Sequence, residues 1–243
     1  MAQGQTANTA KGGFKLPPFV VIIIALIVSE VIFHFVFGAT SNFKDAAKKE
    51  AVSGNYMGLI YKGGFIVPLL MTMFITLITF VIERTLTINK AHGNGSIETF
   101  LQNVKNKLAA KDINGAMAEC NKQKGSVANV VQAGLHKYAE MEKNTELTGE
   151  QKILNIQKEV EESTSLELPA LESNLNVIAT ISTVGTLVAL LGTVLGMLRS
   201  FSALGQAGAT DTSALAQGIS EALVNTALGI ATSAIAIIAY NYL

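Results

Sequence analysis

Tryptophan is absent, cysteine occurs once, proline four times, and only 15% of the 243 residues are charged. The lone Cys120 cannot form an internal disulfide, and its place in the charged part of the chain suits a reducing compartment. Net charge is zero and no basic run occurs, so the electrostatic footprint of a nucleic-acid binder is missing. Enzyme motifs are missing too: there is no G-x-x-x-x-G-K-[ST] loop, no H-E-x-x-H and no G-x-S-x-G. His34, His92 and His136 lack metal-ligand spacing, so no metal, cofactor or catalytic centre is expected. Period-two alternation is also absent, which leaves an all-α fold.

What the chain has is apolar length. Hydrophobic residues make up 49% and mean hydropathy is +0.40. Of the 36 Lys, Arg, Asp and Glu residues, 24 fall between residues 83 and 172 (11 basic, 13 acidic). A near-neutral polar region therefore interrupts a membrane protein. A spanning helix needs about 20 predominantly apolar residues. Four segments approach or exceed this: 19–38, 64–82, 173–200 and 215–243. The first follows a polar tail, 1–18, that contains Lys11 and Lys15, and its length suits a retained anchor better than a cleaved signal peptide. Residues 39–63 read as an amphipathic loop at a membrane face, and Glu83-Arg84 ends the second apolar run sharply. Ser96 is placed to cap a helix through Lys111, two short helices meet at Lys124-Gly125, another runs from Gly149 toward Leu168, and Pro169 marks a kink or restart. The loop 201–214 holds no Lys or Arg, which puts it on the outer side, both termini inside, and residues 83–172 in the cytoplasm.

The last two apolar segments carry sparse polar residues in register. Thr186, Thr193 and Ser200 are seven apart and share one helix line, with Thr183 a turn from Thr186. Gln217, Glu221, Asn225 and Thr232 fall within roughly 80° of one another on a helix, while Thr226 sits about 140° from Glu221. Gly192 and Gly196 form a GxxxG, a surface that lets another helix backbone approach. Back-bonding to the preceding turn accounts for any single threonine. Glu221 is different, because a charge at mid-span costs about 2.5 to 3.5 kcal/mol on insertion scales and such residues face a bundle interior or a wet path. Glu30 and His34, four apart on the first span, suit an intrahelical polar pair or a proton relay. Arg199, near a helix end, is expected to snorkel.

The stretches Leu190-Leu191-Gly192-Thr193-Val194-Leu195-Gly196-Met197, Gly218-Ile219-Ser220-Glu221-Ala222-Leu223, Thr226-Ala227-Leu228-Gly229 and Ala239-Tyr240-Asn241-Tyr242 together resemble the MotA/TolQ/ExbB family, and its ExbB/TolQ branch in particular. The likeness covers roughly residues 60–243, and the apolar segment at 19–38 is extra to the usual three-span pattern. It implies pore residues at Thr193, Glu221 and Thr226; the polar stripes themselves add Thr183, Thr186, Gln217, Asn225 and Thr232 as further lining candidates. It also implies a homopentameric ring in the bacterial inner membrane with the C-terminus cytoplasmic and in contact with lipid. An ExbD-like single-span dimer would sit in the pore, and proton flow would energise a TonB-like protein for outer-membrane transport. A TolQ-like or flagellar-type stator role and a passive membrane scaffold are the alternative readings.

Overall fold

The computed structural model describes residues 17–45, 51–207 and 212–243. The backbone there is all-α: no strand occurs among the described residues, and Phe43 and Ala51 form an isolated bridge. Helix is long and apolar enough to cross a membrane within Pro18–Phe37, Ile66–Ala109, Gly149–Gly205 and Ser213–Tyr242. The chain divides into two compact units, Met1–Ile78 with Thr180–Ile238 and Thr79–Ala179 with Ala239–Leu243. Lys11 and Lys15 of the polar tail lie outside the described residues, as do residues 46–50 of the expected loop 39–63 and 208–211 of the expected loop 201–214.

In the first unit, α1 (Pro18–Val31) opens on a proline whose fixed φ suits a first turn and whose missing amide proton would have had no partner there. It continues as a π-helical stretch, Ile32–Phe37, whose last two carbonyls are captured by a side chain. Asn42 Nδ2 donates to Val36 O at 2.7 Å and Phe37 O at 3.0 Å. Asn55 links this to α2 (Tyr56–Tyr61): its Nδ2 donates to Asn42 Oδ1 at 3.0 Å, while its Oδ1 caps the Met57 and Gly58 amides. Phe33 stacks on Tyr61 with centroids 4.7 Å apart. One hydroxyl contact joins α1 to α3 (Ile66–His92), Ser29 to Thr72 at 2.7 Å, fully buried. Ile66 and Leu70 of α3 pack on Ala189 of α8 (Leu175–Ala207), with Leu228 of α9 (Thr212–Tyr242) beside them. Both α8 and α9 extend into the stretch expected as the loop 201–214: α8 runs on to Ala207 through the good helix formers Ala203, Leu204 and Gln206, and α9 begins at Thr212.

The second unit contains α4 (Ile97–Ala109), α5 (Ile113–Gln123), α6 (Gly125–Lys143) and α7 (Gly149–Glu172). Each begins with an identifiable cue: Ser96 accepts from Thr99 N, Asp112 from Gly115 N, Thr148 and Gln151 make a reciprocal capping box, and α6 starts after a left-handed Lys124. Phe100, Val104, Ala116, Cys120, Ala128 and Leu135 form its core. Burial pushes the Cys120 thiol up, so it is an inert packing residue. Gly93 (φ 76°) and Gly125 (φ 85°) press together where two turns meet, and a Cβ on Gly125 would sit 2.3 Å from Ala91 O.

Glu83-Arg84 does not end its helix. Both residues are good helix formers, and α3 runs on to His92. Arg84 is fully buried, clamped on Glu83 by two bonds of 2.8 and 2.7 Å, and its Nη1 donates to Ala170 O at 3.1 Å and Leu171 O at 3.3 Å. Those are carbonyls of the last turn of α7, which no amide of that helix can reach. Asn174, with φ 64°, then turns the chain into α8 and donates to Glu83 at 3.2 Å.

Candidate functional site

α8 and α9 lie antiparallel, and the hydroxyl line of α8 faces α9. Thr186 donates to Ser233 Oγ at 2.9 Å, the Thr193 and Thr226 hydroxyls share a short hydrogen bond, and Ser200 donates to Leu215 O at 3.0 Å. The step of seven from Thr186 to Thr193 is thus matched by a step of seven back from Ser233 to Thr226, as two straight antiparallel helices require. Thr193 and Thr226 also each contact the carbonyl one turn back, Ala189 O and Ala222 O, both at 3.0 Å.

Small residues make this closeness possible. A Cβ on Gly192 would meet the Asn225 side chain at 2.8 Å, one on Gly196 would meet Gly218 O at 2.8 Å, and one on Gly229 would meet the Ala189 methyl at 2.1 Å. Gly192 and Gly196 therefore pack one helix of the chain against the next, and this intrachain seam is where the GxxxG surface goes.

The polar stripe of α9 is divided by its surroundings. Glu221, Asn225 and Thr232 are buried, whereas Gln217 is exposed. Asn225 Nδ2 donates to Gly63 O at 3.0 Å, which fixes the amide's orientation because a carbonyl only accepts. Its Oδ1 is buried without a hydrogen-bond partner. Thr232 bonds back to Leu228 O at 2.8 Å, and Thr183 is exposed.

Arg199 is half exposed and paired with Glu221. Its Nη1 lies 2.5 Å from Glu221 Oε1, and its guanidinium stands 5.4 Å from the centre of the Phe65 ring. Glu221 also packs on Gly64, whose φ is 75° and where a Cβ would come within 2.5 Å of Oε1. The sequence signal for this pair is that Arg199, Asp211 and Glu221 are the only formal charges between residues 174 and 240, and opposite charges in an apolar hairpin seek each other. Gly63 and Gly64 carry no such signal. Glu30 and His34 pair at 3.4 Å, both about half exposed, and line a hollow of about 270 Å³ that Gly64 and Phe65 also border. Among the described residues no group of three or more His, Cys, Asp or Glu is placed to hold a metal.

Residues 122–243 match the model of the MotA/TolQ/ExbB proton channel family. Over 73 residues the chain is 47% identical to an ExbB-like biopolymer transport protein of Synechocystis sp., covering 29% of this chain and 35% of that one. Over 77 residues it is 38% identical to the Tol-Pal system protein TolQ of Haemophilus influenzae, covering 32% and 34%. Over 115 residues it is 29% identical to TolQ of Pseudomonas aeruginosa, covering 47% and 50%. The aligned stretches thus span between about a third and a half of the length of these relatives. The family stretch covers half of the chain and includes the whole α8–α9 seam, with its charge pair and its hydroxyl pair. The chain belongs to the MotA/TolQ/ExbB proton channel family.

Proposed function

We propose that the chain is an ExbB-like motor subunit, a ring-forming membrane protein that with an ExbD-like single-span partner uses a proton gradient to energise a TonB-like protein. The observation that carries this reading is the half-buried hydroxyl pair of Thr193 and Thr226, at the middle of the hydroxyl line along the α8–α9 seam. A hydroxyl both donates and accepts, so a pair open on one edge can pass a proton to or from a carboxylate on a neighbouring helix. Glu221 and its turn lie on the opposite edge, toward Gly63 and Gly64. In this reading Thr193, Glu221 and Thr226 serve the proton pathway, while Thr183, Thr186, Gln217, Asn225 and Thr232 line or support it. Residues 39–63 and 201–214 face the periplasm, and 83–172 and the C-terminus face the cytoplasm. The exposed apolar surface of α1, α8 and α9, including Ile27, Leu190, Val194 and Ile238, meets lipid or the neighbouring subunits of a pentamer.

The test is complementation in two strains, one lacking ExbB and one lacking TolQ, each supplied with this chain and its single-span partner. Gradient-dependent uptake of a large nutrient through the outer membrane is expected to return in the first strain, and to be lost again with Thr193→Val. Rescue of the TolQ-deficient strain alone would assign the chain to the Tol-Pal branch. Rescue of neither strain, together with no proton flux in vesicles, would leave a scaffold.

A further inference from the structure

Arg199 and Glu221 sit 22 positions apart on different helices, and their side chains are unequally buried: Glu221 is 7% exposed and Arg199 52%. Several contacts define where the carboxylate rests. The guanidinium holds Oε1 at 2.5 Å, the Phe65 ring stands by the guanidinium, and Gly64, by having no side chain, leaves the space that Oε1 occupies. A glutamate on a bare helix face samples several rotamers, and holding it in one requires a partner that more than offsets the lost freedom. Here that partner comes from α8, and the seat comes from the turn before α3. The groups known to face Glu221 are therefore Arg199 from α8 and the Gly64 backbone from that turn; Phe65 touches it only through the guanidinium.

We propose that Arg199 is the positioning residue of Glu221, and that the half-exposed guanidinium holds the ionised carboxylate on its Gly64 seat and lets it go when the carboxylate takes a proton from a hydronium ion, leaving water. This rests on the reading of the chain as a proton-conducting subunit. A neutral carboxylic acid forfeits most of its attraction to a guanidinium, which stays charged throughout because arginine does not deprotonate in proteins. Proton binding at a buried site is thereby turned into movement of a side chain that reaches the surface of the helix pair.

The test uses the full chain with its single-span partner in phospholipid vesicles, with an internal pH dye reporting gradient-driven proton flux. Four variants are compared with wild type: Arg199→Lys, Arg199→Gln, Glu221→Gln and the Arg199→Gln/Glu221→Gln double. Arg199→Gln is expected to lower flux about tenfold or more, while Arg199→Lys, which keeps the charge without the fork, stays within about threefold of wild type. The double variant is expected to conduct no worse than Glu221→Gln alone, because a residue that acts only through another adds nothing once the other is gone. A merely structural arginine would instead give losses that multiply and no rescue by lysine, and either result overturns the proposal, as does normal flux in Arg199→Gln. If wild-type vesicles conduct nothing, the conduction reading falls on its own. The pairing is then judged by melting temperature, where additive effects of the two charge deletions would overturn it too.

Discussion

Two arginine–glutamate pairs, one in each unit, solve the same problem in opposite ways. In the second unit the cation is the buried partner: Arg84 has no exposed surface, and Glu83 keeps 36% of its side chain exposed. In the first unit the anion is the buried one, with Glu221 at 7% and Arg199 at 52%. The difference lies in what each buried group is able to do. A guanidinium holds its charge at any working pH, so Arg84 serves as a fixed part, tying the last carbonyls of α7 to α3. A carboxylate, unlike a guanidinium, is able to exchange a proton, and that is the difference the proposed role of Arg199 draws on.

The sharpest way to break the comparison is to remove the solvent-side partner of each pair. Glu83→Ala leaves a fully buried guanidinium with no means of neutralising itself, and about 3 to 5 kcal/mol of stability should be lost. Collapse of yield and of the detergent melting temperature would register it, and a protein that melts like wild type would mean Arg84 is satisfied by the α7 carbonyls alone. Next in size is Gly192→Leu, which drives a side chain into Asn225 at the seam and should cost about 1 to 3 kcal/mol. Gly205→Leu, at a position where an added Cβ meets nothing within 4 Å, is the matched control. The melting-temperature gap between these variants measures how tightly α8 and α9 close. Arg199→Ala comes third, at about 1 to 2 kcal/mol, because the carboxylate left behind can be neutralised by a proton. A loss as large as that of Glu83→Ala would erase the proposed difference between the pairs.

The smallest effect is a pH dependence in the second unit. The Gly115 amide, and then Lys107, hold the Asp112 carboxyl below its usual range, and Lys122 does the same for Glu119. With the folded value depressed, the unfolded chain binds more protons in the window between, so this stabilisation is present above the ordinary carboxylate value of about 3.9 to 4.3 and is lost as pH falls through the folded values. Amide protection in α5, corrected for the intrinsic pH dependence of exchange, should therefore fall only on acidification below that range. Asp112→Asn, which still caps the helix, should flatten the Asp112 part of this response, and an unchanged profile would remove Asp112 from the explanation.

Much of the helix framework is legible from local sequence. Apolar length marks α1, α3, α8 and α9, and Ser96, Asp112 and Thr148 announce helix starts because a capping side chain reaches only two or three residues. What is not legible depends on separation. Glu83-Arg84 looks like a stop, and only contact with Ala170 and Leu171, some 86 positions on, shows it to be a clamp. At the candidate site, Thr193, Glu221 and Thr226 stand out as polar residues in apolar helices, and their grouping into two edges of one seam follows from periodicity. That Asn225 reaches Gly63 and that Glu221 rests on Gly64 depends on a turn some 160 positions away, about which the helical pattern of α9 says nothing.

The Thr193–Thr226 contact has a consequence that follows from counting hydrogens. Two hydroxyls own two hydrogens, yet three contacts compete for them: the one between the threonines and one from each to its own Ala189 or Ala222 carbonyl. While the threonines stay bonded to each other, one carbonyl goes without. The pair therefore has two arrangements of opposite polarity that differ by rotation of two O–H bonds, with no heavy atom displaced. A charge arriving at either end selects between them. Serine at either position preserves the choice, whereas valine leaves one hydrogen, one carbonyl and a single fixed polarity.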